Sequence, residues 1–587
     1  MVFKRSTILL FILAILPTFV LGILVINYSV DFPYWDQWAI ATLFEKIENS
    51  SLSFSDLIAQ HNESRKFFPR LIFIALGYWT HWNVKYEMSI IFFLACLVSI
   101  NIYLLCRKTV PVSVEKKLLI ATVSNLLIFS PIQYENWLWG IQIVVFIPML
   151  CLTTCIVAAY SHLNIKIKFF IVWGLCTIAT FSYANGLLCW ILAIPILVFK
   201  SRNSLLKRTK WLVLVSLLAF TINIITYFYN YVKPAHHPKF TEALAHPLQA
   251  VHYFLSFLGA PLGFGSAIDT LTVTTLVGFI SLALFSSALA YLVILKETIL
   301  LDSLAGWITI GLYTIISGLI TTSGRVGFGV RQSLDSRYTT FSVYLLVALI
   351  HILVILVEHL KSHKYFSKIK YVFKKIVPFL FVIFLLLHLQ TSVEAFLGMK
   401  KTRINRLQGK ACLLFINVVE EECLTQKVTS YDAPNLKKRA NLLDSLGFFR
   451  PSLIKNRIIE DAKTNKEEAQ DNYGWFDNLT KIKQDVYVAS GWAILPHRGE
   501  PADSVILTYK DVNGKSNIFA IVDNMGIKRS DVAKVLHNGA FKHSGWQTSF
   551  SSGELPTGST QLNAWAFDAY TGNIYKLNGT STLQNKQ

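Results

Sequence analysis

The sequence predicts an α-helical polytopic membrane protein with a soluble β-sandwich at its C-terminal end. Three observations carry this reading. Of 587 residues, 53% are hydrophobic and 15% charged, with a mean hydropathy of +0.47, and a soluble chain of this length carries more charge. The apolar residues gather into long runs up to about residue 390 and into none of spanning length after it. The basic residues fall in alternate loops between those runs, as the positive-inside rule requires.

The elements follow in order. Lys4 and Arg5 precede an apolar run over 6–26. It is long for a signal peptide and no small-residue cleavage site follows, so it reads as a first helix entering from the cytoplasm. Further runs lie near 87–106, 118–134, 139–160, 167–183, 186–200, 211–231, 271–296, 304–323, 339–359 and 376–392. Arg107, Lys108, Lys116 and Lys117 share one loop, Lys166 and Lys168 another, Arg202, Lys207, Arg208 and Lys210 a third. Lys296 and the lysines of 361–375 complete the inside set. About eleven spans result, and the odd number places the C-terminal part outside. The apolar segments 70–83 and 251–268 are expected to be interfacial or re-entrant. The expected domains are 1–392 in the membrane (with a first outside loop over 27–69), a helical extracytoplasmic region over 393–470, and the sandwich over 471–587.

The tail justifies its own division. Residues 393–470 look helical, and DSLGF (444–448) reads as a helix end with a glycine stop. From about Gly474, segments such as DVYVASGWAIL and DSVILTYKD alternate apolar with polar, separated by turn signals such as DVNGK. IKRSDVAKVL (527–536) is one short helix among these strands. Trp492 and Trp546, each after a glycine, are expected in the core, with glycan contact by an exposed Trp as the alternative. Cys96, Cys106, Cys151, Cys155, Cys176 and Cys189 lie in or beside apolar runs and read as packing residues. Cys412 and Cys423 lie in the outside part, where a disulfide closing this short loop is expected. The net charge of +20 is accounted for by loop lysines and arginines, so nucleic acid is not an expected partner.

Three outside segments carry chemistry. The loop after the first helix holds Asp31 and Asp36 in DFPYWDQW (31–38), and His61, Glu63, Arg65 and Arg70 in HNESRKFFPR (61–70). Its length exceeds that of an ordinary connector, and 38–60 has helix-like spacing. SGRVGFGVRQSLDSRY (323–338) brings Arg325, Arg331, Arg337 and Tyr338 to a face where positive charge is disfavoured, which calls for an anionic partner: lipid headgroups, acidic side chains or a phosphate. Its glycines would let backbone approach a ligand. YENWLWGIQ (134–142) sets Glu135 and Gln142 among tryptophans, where an ordinary aromatic belt is the plain alternative. The short turn YANG (183–186) is a weaker signal of the same kind. Aromatics with polar groups suit sugar rings, arginines suit phosphate, and a carboxylate accepts a proton from an attacking hydroxyl.

At these residues the chain resembles the GT-C-type membrane glycosyltransferases. It looks most like the bacterial group that modifies surface polysaccharides, including O-antigen and lipopolysaccharide, using a polyprenyl-phosphate sugar. The resemblance covers about 1–390 and rests on Asp31 and Asp36, HNESR, NWLWGIQ and RVGFG…SRY. It implies a hexosyltransferase of the bacterial cytoplasmic membrane that passes a glucose-like sugar to a hydroxyl of a polysaccharide or glycolipid, facing the periplasm. Asp36, in preference to Asp31, is the implied base, and Arg325, Arg331 or Arg337 the groups facing the departing phosphate. His61, Glu63 and Arg65 are implied to orient sugar or phosphate. Some members use a divalent metal; the scattered acids here predict none. Rival readings are a flippase or transporter of lipid-linked glycans, which expects paired repeats and mid-membrane charges, and a polysaccharide polymerase or ligase, which expects its large loop late in the bundle.

Overall fold

A computed structural model describes residues 5–200, 206–235, 237–266, 268–361, 366–418, 421–428, 433–462, 472–522 and 524–585. Among them, nine helices are long and apolar enough to cross a membrane: Arg5–Tyr28, Lys85–Thr109, Val114–Trp137, Gly140–Ala159, Lys210–Phe228, Thr270–Leu295, Thr298–Phe328, Ser336–Leu360 and Val377–Leu414. The chain is thus a polytopic membrane protein with a β-rich C-terminal region. Two of the runs read as spans form shorter helices, Ile165–Thr180 of 16 residues and Leu188–Lys200 of 13. At 1.5 Å per residue the longer rises about 24 Å, short of the roughly 30 Å hydrocarbon layer. The turn between them is tight, since a Cβ on Gly186 would lie 1.8 Å from the Ala179 carbonyl oxygen.

The chain divides into two compact units. The first comprises Met1–Ser29, Ser53–Phe73 and Lys85–Lys400; the second comprises Val30–Leu52, Ile74–Val84 and Lys401–Gln587. The long first loop is therefore shared between units, with Asp31 and Asp36 in the second and the HNESR segment in the first.

In the first unit, large aromatic side chains (Trp137, Trp307, Tyr253, Tyr313 and Tyr344) fill the interior. The 251–268 segment, expected to be interfacial or re-entrant, forms the helix Pro247–Gly263, whose C-terminal half is buried. It packs backbone to backbone on Thr270–Leu295. A Cβ on Gly259 would meet the Thr274 carbonyl oxygen at 1.8 Å, and one on Gly278 the Leu255 carbonyl oxygen at 1.9 Å. Small residues permit this approach between apolar helices.

The second unit combines short helices with a sandwich. Trp38–Glu48 turns a buried face of Ile40, Leu43 and Phe44 toward Trp82 and Phe448. The helix Ala433–Ser445 ends at Gly447 with φ of 73°, where a side chain would be strained. Cys412 and Cys423 form a disulfide. The sandwich has two five-stranded antiparallel sheets. One orders Ile574–Lys576, Gly558–Phe567, Ser504–Lys510 and Ser516–Ile521, with Ser581–Asn585 also on Gly558–Phe567. The other orders Gly474–Lys483, Val486–Leu495, Gly545–Ser551 and Asn524–Ile527, with Glu500–Pro501 on Val486–Leu495. Their alternating inward residues, including Phe476, Ala489, Leu507, Trp546, Phe550 and Leu562, make one core. Trp546 lies in it at 1% exposure, whereas Trp492 packs on a satellite cluster of Ile494, Val532 and Phe541.

Candidate functional site

The polar residues of the first unit converge at the ends of its apolar helices. Gln60–His61 and Ser64–Arg65 form a two-residue-strand hairpin that puts Asn62 and Glu63 in its loop. Asn62 has φ of 51°, a conformation that asparagine tolerates better than most residues. The hairpin is pinned from two sides: the Tyr227 hydroxyl donates to the Glu63 carbonyl (2.5 Å), and the Ser64 hydroxyl accepts from Ala184 N–H (3.1 Å). Glu63 is thereby presented to a guanidinium and an imidazole. Arg325 Nη2 stands 2.8 Å from its Oε1, and His237 Nδ1 2.5 Å from the same oxygen. Tyr183 lies within electrostatic reach of Glu63, Arg325, Arg337 and Tyr338, and burial pushes its phenol up to about 12. Its ring stacks on Phe341 at 5.8 Å.

A second acid–guanidinium group adjoins this one. Arg337 Nη2 lies 2.6 Å from Asp335 Oδ2, and its guanidinium stands 5.4 Å from the Tyr338 ring centre. Burial pushes the Asp335 carboxyl up to about 6, against the pull of Arg337 and with the charge of Glu135 adding to the rise. Glu135 has a positional task as well: its Oε2 accepts from Arg337 N–H (3.0 Å) at the start of the Ser336–Leu360 helix, where a carboxylate complements free amides. Glu135 N–H donates to the Ser336 hydroxyl (3.1 Å), and Asn136 Nδ2 donates to the Arg337 carbonyl (2.9 Å) and to Thr340 Oγ1 (2.6 Å). The NWLWGIQ turn therefore holds the SRY segment in place. Gln142 is buried at the end of that turn.

Other expected ligands have different tasks. Arg65 is buried, with Nε donating to the Tyr227 carbonyl (2.6 Å), Nη1 to Ile58 (2.9 Å) and Nη2 to Tyr229. Arg70 Nη1 donates to the carbonyls of Asp56, Leu57 and Ala59 at 3.0, 2.8 and 2.6 Å, at the C-terminal end of the Phe54–Ile58 helix. Both are backbone clamps. Gly327, expected to admit a ligand, admits Pro238, whose Cβ would stand 2.7 Å from a Cβ there. Arg331 is exposed in the Val330–Leu334 turn. His61 is half-buried in its hairpin strand.

Asp31 and Asp36 are built into the second unit. Asp31 Oδ1 accepts from Val84 N–H (3.0 Å). Asp36 sits in the Trp35–Gln37 turn, half-buried. Trp35 N–H there donates to the Val428 carbonyl (3.0 Å) and Trp38 Nε1 to Pro33 (3.0 Å). The Arg406 guanidinium lies 3.1 Å above the neighbouring Tyr34 ring.

His237 and Asp335 complete these clusters and were not singled out from the sequence. The signals were present: His237 stands in KPAHHPKF, a proline-flanked segment between apolar runs, and Asp335 lies inside the arginine-rich segment itself. Among the described residues, no group of three or more His, Cys, Asp or Glu side chains is placed to hold a metal ion. The site can balance a multiply charged anion with guanidiniums, accept protons on carboxylates and donate hydrogen bonds from phenols. No family model, curated protein or solved structure matches this chain.

Proposed function

We propose that this protein is a GT-C-type membrane glycosyltransferase that moves a hexose from a polyprenyl-phosphate carrier to a hydroxyl of a surface polysaccharide or glycolipid. The carrying observation is the rim of Glu63, Arg325, His237, Asp335, Arg337, Tyr183 and Tyr338 at the ends of apolar helices. A lipid-borne phosphate presents its charge at that depth. The site faces away from the cytoplasm in this reading, because the basic loops mark the other side. Parity places the C-terminal part on the same side in this reading: nine spans among the described residues, or eleven if the short Ile165–Thr180 and Ala184–Lys200 pair also crosses, are both odd.

The reaction is a single displacement. Asp36, the base that the resemblance implies, takes the acceptor's proton as the acceptor's oxygen bonds to the anomeric carbon. The bond from that carbon to the phosphate oxygen breaks, and its electron pair leaves with the polyprenyl phosphate. Arg325 and Arg337 face the growing charge, and inversion follows. Each guanidinium has five N–H donors, so a carboxylate partner leaves others for phosphate. Arg331, exposed in its turn, meets phosphate or lipid headgroups. Membranes given labelled polyprenyl-phosphate hexoses and candidate surface glycans test the reading. Label is expected in glycan with wild type and none with Asp36→Asn at equal expression. Retained transfer by Asp36→Asn removes Asp36 from the mechanism.

A further inference from the structure

The outer face of one sandwich sheet carries a different chemistry. The inner face of the sheet built on Gly474–Lys483 and Val486–Leu495 fills the core with Phe476, Ala489, Trp546 and Phe550. Across its outer face, Trp475 stands opposite Trp492, which stands opposite Gly545. Trp475 is 46% exposed, unusual for an indole with no core to fill. The next outward row runs in register over four strands: Asn478, Ser490, Gln547 and Asn524. These are two amides, a hydroxyl and a third amide, with no ionisable group among them.

Between the rows lies an ion pair. The strand bulges between Phe476 and Asn478, which sets Asp477 out of the ladder. Asp477 Oδ2 is 2.5 Å from Arg529 Nη1, and Asp531 Oδ2 is 2.7 Å from Arg529 Nη2. Gly545 makes room for this arginine, because a Cβ there would stand 3.0 Å from Arg529 Cγ. The guanidinium is thus held against carboxylates on the sheet surface.

The combination selects its ligand. An indole face offers stacking to an apolar C–H surface. Amides, a hydroxyl, a carboxylate and a guanidinium, closely spaced, offer both donors and acceptors to neighbouring hydroxyls. Because the guanidinium of Arg529 is already held by two carboxylates, the face favours an uncharged ligand over a polyanion. A protein partner calls for a contiguous apolar core to its interface, and here the aromatic row gives way at once to amides. With strands about 4.8 Å apart, the amide row is about 14 Å long, enough for several consecutive sugar residues.

We infer that this sheet face binds a neutral glycan chain, with a sugar ring stacked on Trp475 and ring hydroxyls bonded to Asn478, Gln547, Asp477 and Arg529. The binding needs no transfer reaction, so it stands or falls separately from the proposed enzyme activity. The test uses the full-length protein in detergent against immobilised dextran, mannan, galactan and the source cell's own surface polysaccharide, with polygalacturonate as an anionic reference. At least one neutral polymer is expected to bind, and polygalacturonate more weakly. Trp475→Ala and the double variant Asn478→Ala/Gln547→Ala should each weaken binding at least about tenfold. Trp475→Phe should retain part of it, and thermal melting shows whether each variant is folded. Asp36→Asn should bind polymer at wild-type strength even where transfer is lost. Binding to none of the neutral polymers, a preference for polygalacturonate, or wild-type binding by both the Trp475→Ala and the double variant would overturn the inference.

Discussion

Replacing Arg65 with methionine separates a clamp from a ligand. The arginine is 7% exposed and donates to three backbone carbonyls, those of Tyr227, Ile58 and Tyr229. Methionine keeps most of the apolar stem and removes every donor. The bond to Tyr227 is buried, so its orphaned carbonyl costs about 1–3 kcal/mol; the two part-buried bonds add roughly 0.5–1 kcal/mol each. The sum is about 2–5 kcal/mol. For a large folded unit, melting falls by about 2–4 °C per kcal/mol, so a loss of roughly 4–20 °C is expected. Lysine, with a charge but no planar fork, should fall between the two. The assay is thermal melting of the detergent-purified protein, with transfer per folded molecule measured well below the transition. A variant that melts like wild type yet no longer binds donor would refute the clamp assignment and return Arg65 to the ligands.

Two further predictions follow the same logic. In the sandwich, Arg498 Nη1 stands 2.7 Å from Asp503 and 2.8 Å from Asp568, and both aspartates are buried. Arg498→Met therefore takes the guanidinium from two buried carboxylates and from Glu500, and should cost about 3–5 kcal/mol in near-UV circular dichroism melts, with much of the loss recovered when both aspartates become asparagine; no recovery would contradict the network. For Asp335 the sign is set by burial: its carboxyl is raised to about 6, so the folded protein binds this proton more tightly than the unfolded chain does. Its burial therefore destabilises at neutral pH, and that penalty fades as pH falls through about 6 toward the unfolded value. If ionised Asp335 holds Arg337 for the reaction, transfer should lose half its rate near pH 6, and Asp335→Asn should abolish that limb; an acid limb unchanged in Asp335→Asn would remove it from the site.

The large features were legible in the sequence because they depend on local signals. Run length and hydropathy mark the helices, and DVNGK marks a turn that forms at Asp511–Lys515. The glycine stop at Gly447 was readable for the same reason. The tasks of Arg65 and Arg70 were not, since an outside arginine looks alike whether it meets phosphate or a carbonyl, and the carbonyls of Tyr227 and Tyr229 come from a distant helix end. Gly327 misled in a related way: glycine declares a close approach without naming what approaches, and here it is Pro238. The pairing of Glu63 with His237 depends on tertiary placement, as does the raised Asp335 carboxyl. The bulge that exposes Asp477 leaves no mark in the alternation around it.

The measurement closest to the central claim is transfer of labelled hexose from polyprenyl phosphate to surface glycan in membranes holding wild type, Asp36→Asn or Arg325→Gln at equal expression. The account predicts label in glycan with wild type, none with Asp36→Asn, and a loss of at least about a hundredfold with Arg325→Gln. Full transfer by both variants, or a wild type that carries the intact lipid-linked sugar across the bilayer without transferring it, would contradict it.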